Sequence, residues 1–249
     1  NEEVRNRFGG LSTAPIVMCS LEFQKLERLL AENDWDGAGA MLAEAARTLE
    51  RAGAGVVLLC SNQMHRVAPA IAAAISVPLL HLGDALVEAL REEGVYSVGL
   101  LGTRRTLEED FLTERFVGRR RTKAPVFLPS ETERTELDRI IYDELCQGLR
   151  YEASAKKLRD IADRLHSARA EGIVLASSEL GMVLRQKDVP YPLLDSTEVH
   201  ALAAVRFALG ETKKWDTSRL ALGTLEAGRP VKASELAPRK RAAKKPIME

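Results

Sequence analysis

Short apolar runs alternate with longer amphipathic stretches along this chain. The runs fall at 15–19, 55–60, 78–82, 97–101, 125–128, 172–175 and 192–194, rich in Val, Ile and Leu. Each is apolar at successive positions rather than at alternate ones. A central parallel strand has this pattern when helices cover both faces of its sheet. Between the runs lie stretches of helical period. In 35–51, for example, Met41, Leu42, Ala45, Ala46 and Leu49 recur on one face. Strand and helix in alternation predict an α/β fold with mostly parallel, doubly wound sheets.

The chain also repeats itself. Ala54-Gly55-Val56-Val57-Leu58-Leu59-Cys60-Ser61-Asn62 echoes Glu171-Gly172-Ile173-Val174-Leu175-Ala176-Ser177-Ser178-Glu179. Downstream, Val77-Pro78-Leu79-Leu80 with Asp84 echoes Val189-Pro190 and Pro192-Leu193-Leu194-Asp195. A period of this kind predicts two pseudo-symmetric α/β halves facing each other, 1–94 and 95–191, with 192–210 completing the first. The second half opens on the strand and turn of Ser97-Val98-Gly99-Leu100-Leu101-Gly102-Thr103, which the first half lacks. The register therefore predicts a further strand and turn ahead of Asn1. Beyond 210 the alternation stops. Residues 211–249 carry 10 Lys or Arg against 5 acids and are broken by Pro230, Pro238 and Pro246. This is a basic extension, expected to lack a fold of its own. Trp215, Leu220, Leu222 and Leu225 suggest that it lies against some surface.

Composition narrows the picture little. At 249 residues, with 29% charged positions and a formal net charge of zero, the chain offers no bulk attraction to nucleic acid or an anionic membrane. No apolar run reaches the roughly 18 residues that span a bilayer. Cys19, Cys60 and Cys146 are odd in number and widely spaced. That argues against a disulfide framework and a zinc site, and for a reducing compartment. Cys19 and Cys146 read as small buried hydrophobes. Arg119-Arg120-Arg121 reads as a solvated loop.

In doubly wound sheets, ligands bind beyond the carboxyl ends of the strands. The echoing clusters Cys60-Ser61-Asn62-Gln63 and Ser177-Ser178-Glu179 fall at such ends. If the halves face each other, so do the clusters. Two reactive groups on opposite sides of one small ligand suit stereochemical inversion: one removes a proton from Cα and the other returns one to the opposite face.

Cys60-Ser61-Asn62-Gln63-Met64-His65 resembles the first catalytic segment of the aspartate/glutamate racemases, and Leu175-Ala176-Ser177-Ser178-Glu179-Leu180 resembles the second. Ser97 to Thr103 with Thr106 is similar to the opening of that family's second half, and Asp195-Ser196-Thr197 to its last helix start. The likeness runs from about residue 1 to 210. It implies a cofactor-independent amino-acid racemase fold without a metal, a small amino acid or dicarboxylate as ligand, and a homodimer. Carried over by alignment, the family's catalytic cysteines fall on Ser61 and Ser177. Cys60 is a neighbouring thiol, expected on the packing face because one residue of shift in a strand turns the side chain over. Asn62, Gln63, His65, Thr103, Thr106, Ser178 and Glu179 are the candidate substrate-binding residues. As plain helix caps, the threonines and Ser178 would look the same.

A thiol near pKa 8.5 can be tuned into a working base, whereas a serine hydroxyl needs a partner to take its proton. Hydroxyls at both positions therefore imply weak or lost proton transfer, unless His65 or Glu179 supplies the base. A rival expectation is an inactive homologue serving as a structural subunit of a larger assembly through 211–249.

Overall fold

The computed structural model describes residues 1–116 and 123–211. The basic extension from 212 onward and Arg119-Arg120-Arg121 lie outside the described residues.

The chain begins with helices α1 (Glu2–Phe8), α2 (Phe23–Ala31) and α3 (Trp35–Arg51). α3 has the bounds its period predicts. It starts where the Asp34 carboxylate accepts the Gly37 N–H at 2.8 Å, satisfying a donor that the first helical turn leaves open. Strand β1 (Val57–Leu58), helix α4 (Ala68–Ala74), strand β2 (Leu79–Leu80) and helix α5 (Leu82–Glu92) follow. β1 and β2 pair in parallel as a two-stranded sheet.

The second sheet has four parallel strands. In chain order the elements are β3 (Val98–Gly102), α6 (Arg104–Glu108), α7 (Asp110–Thr113), β4 (Val126–Phe127), α8 (Glu131–Arg139), α9 (Glu152–Ser167), β5 (Gly172–Ala176), β6 (Leu193–Asp195) and α10 (Ser196–Ala208). The strands lie in the order β4-β3-β5-β6. Every residue of β3 and β5 is buried, as their unbroken apolar runs predict.

Two main cores follow the two sheets. Leu100, Leu101, Ile173, Val174 and Leu175 pack with Leu137, Leu158 and Leu165 of α8 and α9. Each aliphatic side chain so buried contributes about 1.5–3 kcal/mol. The first core joins Leu26, Leu42, Ala46, Val57, Ile71 and Leu79. A smaller cluster of Leu80, Ala85 and Ala203 binds α10 and α5 to β2. Among the described residues, no helix is long and apolar enough to cross a membrane.

Several expectations are corrected. Residues 15–19, read as a strand, form no regular structure, and Ile16 and Met18 are 69% and 84% exposed. The run pairs with neither sheet, and without a partner its backbone has no ladder to join. The first-half strands shrink to two residues each: among the described residues, β1 and β2 pair with each other and with no other strand. Residues 192–210 divide between the two sheets: β6 joins β5 in the second, and α10 packs on α5 and Leu80 of the first half. All three cysteines are exposed, not buried. Cys19 sits in the irregular segment, and Cys146 sits in the short 3-10 turn Leu145–Gln147. Cys60 does not face a packing layer. The strand has already ended at Leu58, and a Ser61 N–H to Leu59 C=O bond of 2.8 Å turns the chain tightly with Cys60 at its apex.

Candidate active site at the strand ends

The second cluster is set by the close approach of β3 and β5. Their last residues, Gly102 and Ala176, are partners in the ladder. A Cβ on Gly102 would lie 2.9 Å from the Ala176 carbonyl oxygen, so glycine lets the strand ends meet. Thr103 and Ser177 therefore leave the sheet side by side. Thr103 caps α6: its Oγ1 accepts the Thr106 N–H at 3.3 Å, and the two hydroxyls lie 3.0 Å apart. Both threonines are buried. Ser177 is buried as well, and its hydroxyl donates to Glu179 Oε2 at 2.6 Å. The exposed Ser178 hydroxyl donates to Glu179 Oε1 at 2.8 Å. One carboxylate thus orients both serines.

The turn beyond Glu179 rests on Asp195. A Cβ on Gly181 would lie 1.9 Å from Asp195 Oδ2, so the backbone at 181 crosses directly over that carboxylate. The other oxygen, Oδ1, accepts the Thr197 N–H at 2.8 Å and caps α10. Ser196, the next residue, is wholly buried.

Ser196 reaches the first cluster. The Asn62 side-chain amide donates to Ser196 Oγ at 3.1 Å. Because β6 neighbours β5 with Leu175 opposite Asp195, this bond ties the Ser61 end of the molecule to the strand pair that carries Ser177. Ser61 is half-buried, and its Oγ accepts the Met64 N–H at 3.4 Å. Two polar atoms here are buried and without a partner: Asn62 Oδ1, an acceptor, and Gln63 Nε2, a donor.

His65 does not serve as a free base. Its Nδ1 lies 2.7 Å from the Ser61 carbonyl, and the Leu82 N–H donates to its Nε2 at 3.1 Å. The accepting Nε2 assigns the proton to Nδ1, which donates to Ser61. Both ring nitrogens are thus committed to backbone. Burial, and then the neighbouring His200, push its pKa down to about 3. A neutral, saturated imidazole is a strut, in place of the substrate contact expected for it.

One residue beside the site, His81, is not among the candidates that the sequence marks. His81 caps α5 by accepting the Gly83 N–H on Nδ1 at 3.0 Å. It follows Leu79-Leu80 as Asp195 follows Leu193-Leu194, so His81, not Asp84, is the true counterpart of Asp195. The repeat carries that signal, with a histidine where the second half has a carboxylate. Asp84 instead sits in the first turn of α5 and accepts from Arg115 at 2.6 Å. Cys146 lies within the electrostatic reach of Glu179. Desolvation, and then that carboxylate, push its thiol pKa up, the wrong direction for a thiolate base. Among the described residues, no group of three or more His, Cys, Asp or Glu side chains is arranged to hold a metal ion.

The Asp/Glu/hydantoin racemase family model matches residues 1–204. The chain belongs to the Asp/Glu/hydantoin racemase family. Solved structures agree with this membership. A Yersinia pestis protein assigned as an Asp/Glu racemase is 37% identical, with a TM-score of 0.76, covering 83% of this chain and 89% of that one. An aspartate racemase homologue from Pyrococcus horikoshii OT3 is 29% identical, with a TM-score of 0.72, covering 83% and 88%. The aspartate racemase of Picrophilus torridus, 17% identical with a TM-score of 0.56 over 74% of each chain, shares the fold. In this racemase-family chain, the residues at the ends of β1, β3, β5 and β6 stand at the carboxyl side of their strands, where open α/β sheets take ligands.

Proposed function

We propose that the protein binds a small amino acid of the aspartate or glutamate kind at these strand ends, as a cofactor-independent racemase scaffold whose proton transfer is weak or lost. The observation that carries the ligand class is the unpaired couple of Asn62 Oδ1 and Gln63 Nε2. A buried acceptor and a buried donor, each without a partner, cost free energy until both are met. An amino acid carries the complement of each, an ammonium donor for Asn62 Oδ1 and a carboxylate acceptor for Gln63 Nε2. Thr103, Thr106, Ser178 and Glu179 are the remaining binding candidates.

The weak chemistry follows from the hydroxyls. Ser61 and Ser177 stand where the family resemblance assigns its thiols. Glu179 accepts the Ser177 hydroxyl at 2.6 Å, which aims the oxygen but does not by itself make an alkoxide. Exposed Cys60 is one residue away from the family position.

A second reading is an inactive homologue serving as a structural subunit of a larger assembly. It is favoured by the exposed large apolar side chains Leu11, Ile16, Val17, Met18 and Phe23 near the start of the chain.

Calorimetric titration with L- and D-aspartate, L- and D-glutamate and succinate tests the ligand. Binding of the amino acids but not of succinate, weakened in Gln63→Met, is expected. No binding by any of the five would overturn the reading and favour the structural subunit.

A further inference from the structure

Three imidazoles cluster edge to face beside the turn that carries Ser61 and Asn62. His65 meets His81 edge to face with ring centroids 4.5 Å apart, and meets His200 at 5.7 Å. All three are buried. They come from three separate places in the fold: the 3-10 turn Gln63–Val67, the cap of α5 and the middle of α10. Each holds backbone. His65 spans from the Ser61 carbonyl to the Leu82 N–H, His81 accepts the Gly83 N–H, and His200 Nε2 donates to the Leu80 carbonyl at 2.8 Å.

The polarity of these bonds matters. His65 Nε2 and His81 Nδ1 are acceptors facing amide donors. A proton added to either nitrogen would place an N–H against an N–H and break the bond. Both also sit at the N-terminal end of α5, where the helix dipole disfavours a cation.

We propose that His65, held between His81 and His200, is a positioning residue for the turn at Ser61 and Asn62 and acts as an acid-released latch between that turn and α5. The charged and titratable groups that face it all resist protonation or are neutralised. From α10 there is His200, and from the α5 cap there is His81. Behind α7 is Arg115, whose guanidinium is held by Asp84 of α5 at 2.6 Å. Alongside, Arg66 pairs with Glu109 at 2.8 Å. Burial chiefly, with His65 and Arg115 next, pushes His81 down to about 2. Burial also lowers His200. An imidazole released from this cluster regains its ordinary affinity for protons, so acid favours the open form. For its effect on a bound ligand, the latch rests on the reading of Ser61 and Asn62 given above. The latch itself does not.

The test uses the full chain without ligand. Native-state amide exchange of Leu82 and Gly83 is followed by NMR from pH 7.5 to 5, corrected for intrinsic rates, with Leu100 and Ile173 as core references. Protection at Leu82 and Gly83 is expected to lie below that of the core. It should fall by about tenfold or more per pH unit below 6.5, one factor of ten for each proton taken up on opening. His65→Gln should reduce that slope by one proton. If His65→Gln does not fold, His81→Gln should reduce the slope by one proton. Protection at Leu82 equal to that of Leu100 at every pH, or independent of pH, would overturn the latch. So would a slope unchanged in these variants. Because no amino acid is present, silence in a racemisation assay leaves this result intact, and the reverse holds too.

Discussion

The Asn62 side-chain amide donates to Ser196 Oγ at 3.1 Å, across 134 positions of sequence. It joins the end of β1 to the start of α10, and through β6 to the strand that carries Ser177. The two polar clusters are therefore tied together by a buried polar contact as well as by the apolar cluster of Leu80, Ala85 and Ala203.

Ser196→Ala should therefore destabilise the protein by about 1–3 kcal/mol, the cost of leaving the buried Asn62 amide unpaired at both ends. Urea denaturation measures it. A change below about 0.5 kcal/mol, the scale of an ordinary surface substitution, would mean that the contact does not couple the halves.

Stability should fall in mild acid. Burial pushes His65 down to about 3 and His81 down to about 2 in the folded chain, against about 6.5 when unfolded. Below 6.5 the unfolded chain binds protons that the folded chain refuses. The stabilising contribution is thus fully present above about 6.5 and drains as pH falls toward 3. Two such imidazoles give a loss of about 2–3 kcal/mol between pH 7.5 and 5.5. Equal urea midpoints at these two pH values would contradict the buried, neutral assignment.

Gly181→Ala should disturb the second cluster from below. The added methyl would have to displace Asp195 Oδ2, and with it the cap on α10. The expected loss is about 1–3 kcal/mol, typical of overpacking a tight contact. Wild-type thermal stability in this variant would show that the 180–182 turn has room to move.

What was legible in the sequence depended on where the partners of each segment lay. β3 and β5 were visible because Val98–Gly102 and Gly172–Ala176 are apolar at nearly every position, and burial on both faces requires that. The clusters at Ser61 and Ser177 were visible because the repeat places polar residues just after such strands. Residues 15–19 misled because an apolar run records affinity for a sheet, not the presence of a neighbour to pair with. Cys60 misled because face alternation was carried two residues past the end of β1. The histidine cluster was hidden as a cluster, although His65 stood out by its motif and His81 by its place in the repeat. Its partners are the amides of Leu82 and Gly83 and the carbonyls of Ser61 and Leu80, and backbone groups leave no mark in a sequence.

The most direct test of the central claim is exchange of the Cα proton of L- and D-aspartate and glutamate in D2O, followed by NMR. The natural chain is run beside the Ser61→Cys/Ser177→Cys double variant. A racemase scaffold short of its two thiols predicts slow or silent exchange by the natural chain. The variant should then be faster by about 10²-fold or more, the range of a positioned proton-transfer group. Exchange by the natural chain as fast as by the variant would contradict the account, because the serines, or a base not identified among them, would then be competent as they stand.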